Sequence, residues 1–166
     1  MNMIQKSAAA LFAILAAGSA LAAEPRETWF EDLVPEGAPE AQIIGEGEMN
    51  RADDTWKPQY DANAIRFNDA LDGALVRMPG YVVPLAGGSD GVTSFLLVPY
   101  VGACIHVPPP PANQIVFVAT QTPWPSDDLW APVWVTGTLK IQPLSTELAE
   151  VGYTMQAVAI EPYTEQ

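Results

Sequence analysis

The chain has 166 residues, with 7 basic and 20 acidic side chains, a formal net charge of −13 and one cysteine. That balance argues against nucleic acid, since binding phosphate requires a dense cluster of lysine or arginine, and against adsorption to anionic lipid. Cationic partners, metal ions or a basic protein face remain, with solubility alone as the bland use of surplus carboxylate.

Lys6 is the only charge before an uncharged run from Ser7 to Ala23. Ala8 to Ala17 is nearly all apolar, Gly18 and Ser19 loosen the helix, and Ala20-Leu21-Ala22 puts small residues where a signal peptidase reads. The apolar stretch is shorter than the ~20 residues that span a bilayer core. Residues 1–22 are expected to be a cleavable signal peptide, with a retained membrane anchor as the alternative. The expected product is a periplasmic protein with no integral membrane segment.

Residues 23–70 read as an irregular acidic arm. Glu24 to Glu48 is dominated by acids, with Pro25, Pro35 and Pro39 scattered through it. Trp29, Phe30 and Leu33 fall at helical spacing, which predicts a helix of one or two turns ending at Pro35. From Gly37 to Asp61 no period is sustained, and the arm lacks the apolar content for a core of its own.

Residues 71–166 read as a β domain. Asp72-Gly73 is a turn signal, and Ala74 to Leu85 is the first strand, with Pro79 and Gly80 implying a bulge or bend in an edge strand. Gly87 to Gly91 is a hairpin loop before a second strand, Val92 to Tyr100. Gln114 to Thr120 is a third and Pro132 to Gln142 a fourth, its faces divided between Trp134, Thr136, Thr138 and Lys140 and Val133, Val135, Leu139 and Ile141. Ser145 to Val151 reads as a short helix capped by Ser145, and Tyr153 to Tyr163 as the fifth strand. The expected fold is all-β: a small five-stranded OB-like barrel with one or two short helices. An open sandwich is the alternative, and sixteen prolines argue against helical or doubly wound folds.

The chemistry-bearing residues are few. An exported domain of this size usually has paired cysteines or none, so Cys104 must be buried, ligated, reactive or joined to another chain. In an extended segment Cys104 and His106 face the same way, and zinc accepts thiolate with imidazole, as does copper(I). Two ligands are half a site; carboxylates such as Asp53, Asp54, Asp127 or Asp128, water or a second molecule would complete it. Two other readings stand beside this one. Cys104 is a buried thiol beside a hydrogen-bonded histidine, or a nucleophile activated by His106 and oriented by Asn113. Trp124, Trp130 and Trp134 offer a groove or loop packing. Met78 and Met155 offer copper ligands or core filling. Pro108 to Pro111 is a stiff polyproline rod, either a ligand for an aromatic groove or a rigid loop.

The string from Met78 to Leu85 (MPGYVVPL), then Phe95 to Pro111 (FLLVPYVGACIHVPPPP), resembles an uncharacterised bacterial family, domain of unknown function 3299. Asn113 to Val116, Val133 to Leu139, Gly152-Tyr153 and the Trp29 to Pro35 segment extend the likeness. The resemblance implies an exported or lipid-anchored envelope protein, often encoded beside ABC-type transporter components and sometimes in metal-responsive settings. It attaches no enzymatic activity. This sequence departs from lipid-anchored members in having no cysteine at the cleavage point. Together these readings predict a non-enzymatic periplasmic accessory protein handling zinc or another divalent metal beside a transporter component. The alternative is an interaction module without metal, and a thiol enzyme comes third.

Overall fold

The computed structural model describes residues 24–51, 55–104, 109–125 and 131–164. The expected signal peptide, residues 1–22, lies outside them. Among the described residues eight strands follow in chain order: β1 (Arg26–Glu27), β2 (Ile43–Asn50), β3 (Thr55–Tyr60), β4 (Leu75–Gly88), β5 (Gly91–Val98), β6 (Val116–Trp124), β7 (Val133–Ser145) and β8 (Glu150–Pro162). No described helix is long and apolar enough to cross a membrane.

Five strands close a barrel in the order β4–β5–β6–β8–β7, with β7 returning to β4. The β6–β8 pair is parallel and the other four are antiparallel. This is the OB-like barrel. The strands form because β-branched and aromatic residues alternate along them, so one side of each strand turns inward. Val76, Phe95, Leu97, Val118, Leu139 and Met155 fill the interior.

Closure depends on one long strand serving two neighbours. From Leu75 to Gly80 β4 pairs with β7, and from Tyr81 to Gly88 it pairs with β5. Pro79-Gly80 therefore marks a barrel corner and not a sheet edge. Gly80 is required there: a Cβ would stand 2.8 Å from Leu97 Cγ and 3.0 Å from the Val98 carbonyl oxygen.

Two expectations are corrected. Residues 145–151 are not a helix. β7 runs to Ser145, β8 starts at Glu150, and the two residues pair. Thr146 N donates to Ala149 O at 2.9 Å, and Ala149 N donates to Thr146 Oγ1 at 3.0 Å, which closes a tight hairpin where strand pairing outweighs helix propensity. The arm is also not wholly irregular, because β2 and β3 pair as a bulged antiparallel hairpin. The predicted helix near Trp29 is a 3-10 turn over Phe30–Leu33.

Tyr153 fastens the arm to the barrel. Its side chain is fully buried, and its hydroxyl donates to Leu33 O at 2.6 Å and accepts from Asn68 N at 2.7 Å. Asn68 Nδ2 donates to Asp32 O and Gln114 Nε2 to Phe30 O, both at 2.8 Å. Tyr153→Phe is expected to cost about 1–2 kcal/mol in urea unfolding, for the buried hydrogen bonds lost. An unchanged urea midpoint would remove Tyr153 from this fastening role.

Candidate functional site

Cys104 is 5% exposed and packs with Val83, Leu96, Val98, Ile115 and Val151. These neighbours define a second apolar cluster. Phe95 and Leu97 point into the barrel, so the intervening Leu96 and the following Val98 face outward. Ala103 and Cys104, on the connection from β5 to β6, cover that outer face. In OB folds the face of the second and third strands is a common ligand surface. Here those strands are β5 and β6, and the Cys104 segment occupies the place.

Burial pushes the Cys104 thiol up to about 12, so it stays protonated at neutral pH. Its backbone takes a left-handed φ of 65°. His106 lies outside the described residues, as do Asp53, Asp54, Asp127, Asp128 and Trp130. Among the described residues no group of three or more His, Cys, Asp or Glu side chains could hold a metal ion. The described half of the Cys104–His106 pair is a buried thiol in an apolar wall, protonated at neutral pH, which disfavours a nucleophile.

The other candidates resolve into packing. Met78 and Met155 are buried in the barrel interior. Trp134 is buried, stacks on Tyr163 at 5.3 Å, meets the Trp29 ring edge-on at 5.8 Å and lies under the Arg77 guanidinium. Trp124 packs against the barrel core. Asn113 does not orient a catalytic imidazole through its amide nitrogen, because Nδ2 donates to Asn63 O at 2.8 Å and Arg66 O at 3.1 Å.

A cleft of about 480 Å³ opens where the arm meets the barrel end. One wall is the arm from the Phe30–Leu33 turn onward, including Val34, Pro35 and Ala41 with the exposed Glu31, Glu36 and Glu40. The opposite wall is Pro99, Tyr100, Pro110 and Pro111, joined by Tyr60 from the end of β3. Proline suits this wall: its fixed φ keeps the 109–111 segment extended without internal backbone bonds. Pro109 O accepts from the Tyr60 hydroxyl at 3.1 Å, which ties the hairpin to the rod. Burial raises both Tyr60 and Tyr100, helped at Tyr60 by Tyr100 and then Cys104 and at Tyr100 by Cys104, and both remain neutral phenols in the physiological range.

Asn113 also lines the cleft and is 2% exposed. With Nδ2 committed to two carbonyls, the amide cannot flip; its Oδ1 is sealed from solvent and accepts no hydrogen bond among the described residues. Sequence reasoning missed this cleft. Its residues come from four separate stretches, and the only local signal was the proline run beside Asn113.

The comparisons with known proteins follow this geometry. The model for DUF3299, a protein of unknown function, matches residues 29–162. The chain is similar to the crystal structure of a DUF3299 family protein from Pseudomonas aeruginosa PAO1, with 41% identity and a TM-score of 0.70. That match covers 87% of this chain and 99% of the other. No curated protein matches it. The matched segment holds the arm, the closed barrel and the cleft between them, and the chain belongs to the DUF3299 family.

Proposed function

We propose that this protein is an exported, non-enzymatic binding module whose ligand sits in the cleft between arm and barrel. The observation that carries the reading is the cleft itself, about 480 Å³ between arm and barrel, walled by prolines and tyrosines. Pockets of this size, mostly apolar with few fixed polar groups, are the usual form of ligand sites. The only cysteine is capped by hydrocarbon, which supports binding over thiol chemistry.

Export and periplasmic residence belong to the proposal through the composition of residues 1–22, and a transporter component as partner through the family resemblance. Zinc handling through Cys104 and His106 is the weaker reading, because the described residues bring no group of three or more ligating side chains together.

Selection of binders from a random peptide library tests the cleft. Binders enriched on the wild-type protein are expected to lose at least tenfold in affinity for Ala41→Trp, which fills the cleft from its arm wall. Binders indifferent to that substitution would place the binding surface elsewhere.

A further inference from the structure

We propose that residues 99–104 form a hinged cover that lifts off the outer face of the barrel while the barrel stays closed, and that a ligand in the cleft holds it down. The second half rests on the cleft being the binding site and adds the regulation of that site. The segment follows the end of β5 at Val98 and lies outside every strand. Ala103 and Cys104 seat it on the barrel, buried in one cluster with Leu96, Val98 and Ile115. Tyr100 and Val101 are exposed. The barrel interior is a separate cluster, and no residue from 99 to 104 belongs to it.

The seat is weak where the barrel is strong. A methyl group and a thiol bury little area, so unseating them costs far less than parting two strands. Cys104 holds a φ of 65°, a left-handed conformation that residues other than glycine seldom adopt, and Gly102 before it stands at 79°. Ala103 N donates to Tyr100 O at 3.4 Å, longer than a strong bond of this kind. Lifting relieves the strain at Cys104 and leaves the five-strand closure untouched. Segments seated in this way open at lower free energy than the whole fold. Water contact with Leu96, Val98 and Ile115 opposes opening and keeps the lifted state minor. The cleft meets the cover at its hinge, because Pro99 and Tyr100 stand in the wall opposite the arm. A ligand packed between them and Pro35 or Ala41 makes those contacts only with the cover down, and such a difference in contact is what shifts an equilibrium.

The test uses the single cysteine as a reporter in the wild-type protein. Cys104 is labelled with iodoacetamide and, separately, with a bulky fluorescein maleimide, over urea concentrations below the unfolding transition. Each rate is divided by the rate of the same reagent on the denatured chain. A cover that lifts gives the same ratio for both reagents within about twofold, since each meets a fully open thiol. That ratio should change with urea at less than a third of the slope of global unfolding, because little surface is exposed. A slope equal to the global one would show that Cys104 opens only with the barrel. A ratio at least tenfold lower for the maleimide would show leakage of the small reagent into a closed structure. Either result overturns the cover. A selected peptide that is sensitive to Ala41→Trp, added at ten times its Kd, should slow labelling about tenfold. Unchanged labelling with such a peptide bound would overturn the coupling and leave the cleft reading standing. With no such peptide the cleft reading and the coupling fall together, while the urea series alone still decides the cover.

Discussion

At pH 8, Cys104 in the folded protein is expected to alkylate with iodoacetamide on the order of a thousandfold more slowly than in denaturant. The thiolate is the reactive form, and moving the thiol from 9.0 to about 12 removes nearly all of it. Lower steric access acts in the same direction, since the side chain is 5% exposed. The same shift fixes a pH dependence. A folded-state pKa above the unfolded one gives stability that is complete below about 9 and lost as pH climbs toward about 12. Tyr153, raised to about 12 mainly by burial, adds to the loss from about 10 upward. Melting temperature should therefore fall through this alkaline window, less steeply in Cys104→Ala. Metal analysis of the same preparations should find no stoichiometric zinc. Fast alkylation, or one zinc per chain lost in both Cys104→Ala and His106→Ala, would return ion handling to the centre.

Gly152→Ala is expected to cost about 3 kcal/mol or more in urea unfolding, at the upper end of overpacking effects. An added Cβ would lie 2.2 Å from Phe67 Cε1 and 2.7 Å from the Ala112 carbonyl oxygen. The Phe67 ring could turn, but it packs edge-on against Tyr153 at 5.4 Å. The carbonyl belongs to the 3-10 turn Ala112–Gln114, which holds Asn113. Relief of the clash would push that turn off β8 and displace Asn113 and Gln114 in the cleft lining. The variant should thus lose cleft binding even where it remains folded. A loss under 1 kcal/mol would show that the turn is not seated on β8 as described.

The barrel strands were legible because each has one side in a core. In β7, Val133, Val135 and Leu139 alternate with Thr136 and Thr138, and that pattern requires only local reading. Parallel pairing of β6 with β8 was not legible, since it is fixed by closure and not by either strand. The β2–β3 hairpin escaped for a different reason. Ile43, Ile44 and Met49 are exposed, so no buried side imposes a period of two on that stretch. Residues 145–151 were misread because Ser, Thr and Glu suit a helix start as well as a turn, and only the Ser145–Glu150 pairing separates the two.

The candidate site was legible in part. The lone cysteine stood out in the sequence, yet its burial depends on Leu96 and Val98 facing outward, a consequence of barrel register. The partners of the Asn113 amide were not legible. Its amide reaches back some fifty residues to Asn63 and Arg66, a contact no spacing rule anticipates.

The most direct measurement is a chemical-shift map of the protein bound to a selected peptide. Perturbations should concentrate on Tyr60, Tyr100, Asn113 and the arm from Glu31 to Ala41, leaving the barrel wall around Val158 unmoved. A map centred on the wall, or on the 146–149 hairpin, would contradict the assignment of binding to the space between arm and barrel.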